Sequence, residues 1–424
     1  MEQSDTGATV KANGFSHFDY LKITIFGFAL AALWGSLHSV ILQVRLLDFV
    51  VESQKNTYLG LLTFAGLVVA MAIQPIAGTI SDRSGFRWGR RRPYILIGAV
   101  LGILFLLGIG SAGSYVVIFV TYCLLQASTN TAQASYQGFI PDLVPEGKRG
   151  TASGVKSFLE ILGGVALLWV IARFMDRYFA DRAGPWLWLA LGVLALILLI
   201  TTLVTVLTVK ERPGTGGTRQ PLLPALYQSF KIDVRANRDF VLFLVSRLLF
   251  FMAMTTLQTF ALYFLMDVGG IENPASVTAN LLIAAGAAMM ITVYPAGRLS
   301  DKVGRKPIVV AAGFIGAIGI AFLFLSHTYT SILISGAILG IAFGAFLSTN
   351  WALATDLVAK GEEARYLGLT NVATAGGAAL ARLIGPAIDY FNTCGPGLGY
   401  QVMLAACFTY FIAGSILLTR VKLR

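Results

Sequence analysis

The sequence predicts an all-α membrane protein, twelve transmembrane helices arranged as two pseudo-symmetric six-helix bundles. Composition is the first reason: of 424 residues, 56% are hydrophobic and only 12% charged, about half the charged share of an ordinary soluble domain. The second is the recurrence of apolar runs of about 20 residues, long enough to cross a hydrocarbon core. They run from Ile23–Val44 to Met403–Leu418 with short polar connections between them. The third is an internal repeat, two blocks that appear once in each half of the chain in the same order.

In chain order the runs place spans at residues 20–45, 57–82, 92–112, 115–140, 150–175, 185–209, 238–266, 276–299, 307–327, 330–357, 364–390 and 398–420. The first 18 residues hold no basic start, apolar stretch or small-residue cleavage site, so no signal peptide is expected and span 1 is retained. An even count puts both termini on one side. Assigning that side to the cytoplasm gives its loops and tails 25 Lys and Arg against 5 opposite, with Arg247 and Arg382 inside spans. The positive-inside rule then makes both termini cytoplasmic, and the short loops and tails point to a plasma (inner) membrane. The longest connection, 210–237, contains Pro213, Gly214, Gly216 and Gly217. It reads as a linker between an N-terminal bundle, 1–209, and a C-terminal bundle, 238–424. The net charge of +11 is spread over loops rather than gathered on one aromatic-laced surface, which argues against nucleic acid. Cys123, Cys394 and Cys407 form neither a disulfide framework nor a metal spacing, and all three read as packing residues.

The repeat is specific. Pro75 to Gly85 closes span 2 and Pro295 to Lys306 closes span 8, with Asp82 and Asp301 offset by 219 residues. Farther on, Asp142-Leu143-Val144 is matched by Asp356-Leu357-Val358 at an offset of 214, each followed by a glycine, Gly154 or Gly368, twelve residues after the Asp. The doubled G-x-x-x-D-R/K-x-G loop resembles the signature of the major facilitator superfamily, and the resemblance covers the whole chain. It implies transport by rocking of two halves about a site at mid-membrane. Asp82 and Asp301 are then expected to gate by pairing with Arg83, Arg90, Lys302 or Arg305 and with helix N-termini. Gly78 and Gly297 are expected to allow close helix approach, while Arg87 and Arg91 read equally well as orientation charges. The longer first copy, Gln74-Pro75, Gly78, Ser81-Asp82-Arg83 and Gly89-Arg90-Arg91-Arg92-Pro93, is similar to the sucrose/proton symporter group of glycoside carriers. So is Asn130-Thr131-Ala132-Gln133 followed by Asp142-Leu143. That group carries an Asp implicated in proton coupling four residues before the Asn, where this chain has Gln126, so the resemblance brings no proton route to that position.

Polar groups inside spans are costly and mark candidate sites. In span 4, Gln126, Asn130, Gln133 and Gln137 share one helical face, suited to sugar hydroxyls or to helix–helix bonding. In span 5, Lys156 and Glu160 stand four apart, as a proton-coupling pair or a static one. Span 7 aligns Arg247 with Phe251, Met254 and Gln258; span 11 aligns Asn371, Thr374, Arg382 and Asp389, with Asp389 a further coupling candidate sharing one cavity wall with Arg382. His38 in span 1 could titrate near neutrality or simply pack, and Asn350 with Trp351 in span 10 could supply an amide and a ring platform. No Walker, HExxH or nucleophile pattern is present, so neither an enzyme nor a cofactor or metal is expected. The expected activity is secondary transport of a small-molecule substrate, a sugar or glycoside, by a lipid-embedded monomer with protons as candidate coupling ion. The alternatives are efflux of drug-like or amphipathic compounds by antiport and a non-transporting sensor on a transporter fold.

Overall fold

The computed structural model describes residues 16–82, 84–211, 237–326, 328–357 and 363–422. Arg83 and nearly all of the expected linker lie outside the described residues. These form α1 (Phe18–Leu46), α2 (Lys55–Asp82), α3 (Arg92–Gly110), α4 (Tyr115–Gln137), α5 (Arg149–Asp181), α6 (Gly184–Thr208), α7 (Arg238–Asp267), α8 (Pro274–Val303), α9 (Arg305–Phe324), α10 (Tyr329–Asp356), α11 (Glu363–Arg382), α12 (Gly385–Cys394) and α13 (Leu398–Thr419). No strand occurs among them.

Ten of these helices are long and apolar enough to cross a membrane. The two expected spans that fall short are the fourth, where amides and hydroxyls crowd α4 from Gln126 to Gln137, and the eleventh, which is broken. A continuous helix over 364–390 was expected; instead α11 ends at Arg382 and α12 restarts at Gly385. Pro386 accounts for the break, because it has no N–H for the carbonyl four residues back, that of Arg382, and its ring crowds that carbonyl. Large apolar side chains remain outside: Leu207, Ile291 and Ile318 are 72%, 75% and 61% exposed, a surface suited to lipid and rare on a soluble monomer.

The described residues fall into two compact units. The first holds α1 up to Ser36, α2 from Val69, α3, α4, α5 up to Ile171 and α6. In it, Gly98 and Gly102 of α3 lie on Ser128, Thr129 and Ala132 of α4, and a Cβ on Gly98 would stand 2.5 Å from the Ser128 carbonyl oxygen. Small residues permit this approach where lipid offers no hydrophobic drive for helix association. The second unit holds Leu37–Val68, Ala172–Ala183 and α7–α13. Its α10 runs along α8 through Gly336, Gly340 and Gly344, set against Leu281, Ala285 and Met289. Phe250 stacks on Phe346 at 3.6 Å with Phe411 edge-on at 4.9 Å. The end of α5 caps the start of α8, since Asp176 accepts from the backbone N–H groups of Ala275 and Ser276, both at 2.9 Å. In α1 the change of unit coincides with a π turn, Leu37–Ile41.

Candidate functional site

Both copies of the repeated loop fold onto carboxylates, though not in the expected pairs. In the first unit the buried Arg91 donates Nε to Asp142 at 2.6 Å and meets Asp82 through Nη2 at 2.7 Å, while Arg90 reaches the same Asp142 at 2.5 Å. Asp142 thereby holds the Arg90 guanidinium above its usual range. In the second unit Arg305 pairs with Asp356 and donates to the Ala352 carbonyl at 2.7 Å. Arg91 and Arg305 are 214 residues apart, as are Asp142 and Asp356, so one contact recurs in both copies. Of the expected partners of Asp82, Arg83 lies outside the described residues and Arg90 pairs with Asp142; the bridging residue is Arg91. Asp301 and Lys302 form no ion pair among the described residues. Gly78 and Gly297 are corrected as well, because a Cβ at either would meet nothing within 4 Å, so neither makes a close helix contact in this conformation.

Glu211, just past α6, was missed. Its carboxylate accepts from the backbone N–H groups of Arg91 and Arg92 at 3.1 and 3.0 Å and so caps α3. Burial raises its pKa, against the pull of those two bonds. The carboxylate occupies the space beside Gly89, whose φ of +123° suits glycine. A cap reaching across 120 residues leaves no local pattern in the sequence.

Within the membrane, the α4 stripe becomes a ladder. Gln126 donates to the Tyr122 hydroxyl at 2.7 Å, Asn130 donates to the Gln126 Oε1 and carbonyl oxygens at 2.8 Å, and Gln74 of α2 donates to Asn130 Oδ1 at 2.7 Å. Asn130 has thus committed its donor and its acceptor within the protein. Gln133 is half-buried and has no hydrogen bond among the described residues, and Gln137 is exposed. Lys156 and Glu160 are paired at 3.7 Å, half-buried, with the ammonium 5.3 Å from the Tyr136 ring centre. The Tyr136 hydroxyl donates to the Thr24 carbonyl at 2.9 Å.

In the second unit, Arg247 is 5% exposed. It donates Nε to Thr374 Oγ1 at 2.8 Å and Nη1 to Asn350 Oδ1, and lies 5.2 Å from the Phe251 and 5.7 Å from the Trp351 ring centre. Asn371, one turn before Thr374, is exposed. Gln258 does not join this cluster: it is exposed and borders an apolar cavity with Met254, Phe264, Leu339 and Met403. His38 is half-buried on the π turn, and its carbonyl oxygen accepts from Gln43.

Arg382 and Asp389, expected on one helix, stand on two. Arg382 turns back to the Ala378 carbonyl, while Asp389, beyond the break, accepts from Thr57 N at 2.7 Å, Asn56 Nδ2 at 2.8 Å and Asn56 N at 3.3 Å, at the start of α2. Asn56 also donates to the Tyr400 hydroxyl at 3.2 Å, which donates to Asp267 at 2.6 Å; Asp267 in turn holds the buried Lys55 at 2.6 Å. One network therefore ties α2 to α7, α12 and α13, and its sequence neighbourhood carries no motif. Cys394, at the end of α12, is exposed rather than packed.

A family model for the Major Facilitator Superfamily matches residues 16–382 and 261–422. A lactose permease from Leuconostoc lactis is 27% identical over 206 residues, 43% of this chain and 32% of that one. A sucrose transport protein from Oryza sativa subsp. japonica is 30% identical over 122 residues, 24% of this chain and 23% of that one. The chain thus spans a third or less of these relatives. The crystal structure of the nucleoside transporter NupG superposes with a TM-score of 0.75 at 14% identity, covering 95% of this chain and 99% of that one, a likeness of fold. With the family model running from the first helix to the last, and sugar carriers among the relatives as the motifs implied, the chain belongs to the Major Facilitator Superfamily of multi-pass membrane transporters.

Proposed function

We propose that this transporter carries a sugar or glycoside across a plasma membrane by alternating access, as two six-helix halves, residues 1–209 and 238–424, move about the linker 210–237 with both termini cytoplasmic. The observation that carries the reading is the Gln74–Asn130–Gln126–Tyr122 ladder. Each amide in it has a fixed orientation, so a rigid row of donors and acceptors stands on α4 beside Gln133, whose own amide is unspent. Sugar hydroxyls both donate and accept, and the unspent Gln133 amide beside the ladder can match them. Asn130 acts here as the hub that holds Gln74 and Gln126. Lactose and sucrose are named for the two relatives, which supports the same substrate class.

Proton coupling is assigned to Glu160. Protonation of its carboxylate would release Lys156, and a charge change at one half-buried pair can bias two conformations. Proteoliposomes with an imposed pH gradient test both parts. The wild type should accumulate lactose or sucrose, and Glu160→Gln should abolish accumulation while leaving exchange of internal for external sugar. Accumulation unchanged in Glu160→Gln would remove that residue from coupling. Indifference of the wild type to a broad panel of sugars and glycosides would refute the sugar reading.

A further inference from the structure

Arg247 is a buried cation with no counter-charge among the described residues. Among the described residues it forms no ion pair, and no carboxylate is among its hydrogen-bond partners. Its protein acceptors are two neutral oxygens, of Thr374 and Asn350. These use Nε and Nη1 and leave Nη2 with no acceptor among the described residues. A buried guanidinium without a counter-charge is costly, and it is stabilised when a carboxylate accepts from a remaining N–H group.

The partner that orients Arg247 has the same deficit. Asn350 is 1% exposed; its Oδ1 accepts from the guanidinium, and its Nδ2 is buried without a hydrogen-bond partner. A buried unmet donor costs about 1–3 kcal/mol. Two donors on bonded neighbours therefore lack acceptors, and the missing group is one with two acceptor oxygens and a negative charge. Trp351 follows in sequence, 42% exposed, with its ring beside the same guanidinium, where it can support the apolar face of a ring.

We infer that the substrate carries a carboxylate: Arg247 and Asn350 receive that group while Trp351 supports the attached sugar ring, as in a uronic acid or its glycoside. The inference rests on the sugar-transport reading for the ring and on Arg247 and Asn350 alone for the carboxylate. The bound anion then neutralises Arg247 during transport.

Purified protein in nanodiscs, titrated with methyl β-D-glucuronide, methyl β-D-glucoside and benzoate by thermal shift and tryptophan fluorescence, tests it. The glucuronide should bind at least about tenfold more tightly than the glucoside, a difference of about 1.4 kcal/mol. Arg247→Gln should erase that preference. Asn350→Asp places a carboxylate beside Arg247, so it should erase the preference while keeping or raising the melting midpoint, which separates lost binding from lost folding. Equal binding of glucuronide and glucoside, or a preference that survives in both variants, would overturn the inference and leave sugar transport standing. Benzoate binding that depends on Arg247, with neither glycoside bound, would support the carboxylate site and refute the sugar reading.

Discussion

Asp389 gives the sharpest prediction about how this transporter holds one conformation. Its carboxylate accepts three hydrogen bonds at the start of α2, two from backbone N–H groups and one from the Asn56 amide. Asp389→Asn keeps one acceptor oxygen and the side-chain volume, but removes the charge and turns an amide donor toward other donors. Charge-assisted bonds contribute about 1.5–3 kcal/mol against about 0.5–1.5 for neutral ones, and a negative charge at a helix N-terminus adds about 0.3–1 kcal/mol. A loss of about 2–3 kcal/mol follows, which would shift the balance between the clamped and released contact by about 30- to 150-fold. Leu59, fully buried one turn into α2, reports that balance as Leu59→Cys in a background without Cys123, Cys394 and Cys407, through its rate of labelling by a membrane-impermeant maleimide. If the contact opens during transport, Asp389→Asn should raise the labelling rate by at least about tenfold at the lower end of that range. A melting midpoint that falls while the labelling rate stays constant would make the contact a static cap and refute the gating argument.

Two further predictions concern the repeated loop. Arg91→Ala should destabilise the protein by about 1–3 kcal/mol, because it removes the buried guanidinium that bridges Asp82 and Asp142, although Arg90 still holds Asp142, whereas Arg305→Ala, at a pair with 32% and 43% exposed side chains, should cost about 1 kcal/mol or less; a larger loss for Arg305→Ala in chemical denaturation would contradict the asymmetry. Glu211 has a pKa raised by burial in the folded protein, so its contribution to stability is present below the ordinary carboxylate range and is lost as pH rises through the raised value. Glu211→Gln should flatten the pH dependence of the melting midpoint in that window, and a slope unchanged by the substitution would remove Glu211 as its source.

Much of the fold is legible in the sequence because the bilayer imposes it. A chain in hydrocarbon must satisfy its backbone internally, so runs of apolar residues become helices whatever their neighbours, and the spans need only length and composition to be seen. The two least apolar helices of the expected twelve are legible in part, since the amides of α4 and Asn371, Thr374 and Arg382 of α11 stand out in the sequence as candidate contacts. Pairing was less visible. Arg90, Arg91 and Arg92 are identical in kind and adjacent in sequence, and only their placement in space decides that Arg91 is buried between Asp82 and Asp142 while Arg90 pairs with Asp142. Arg382 and Asp389 share a helical face on paper, and Pro386 separates them.

The sequence by itself determined that this is a doubled helical membrane protein with a matched loop in each half, because periodicity, loop charge and repeat spacing are properties of the chain alone. Tertiary structure decided which charges meet: Asp389 with α2, Glu211 with α3, Lys55 with Asp267, and Arg247 with two neutral oxygens. Those choices depend on distances between helices far apart in the chain, and a buried charge is stabilised or stranded by what lies a few ångströms away in space.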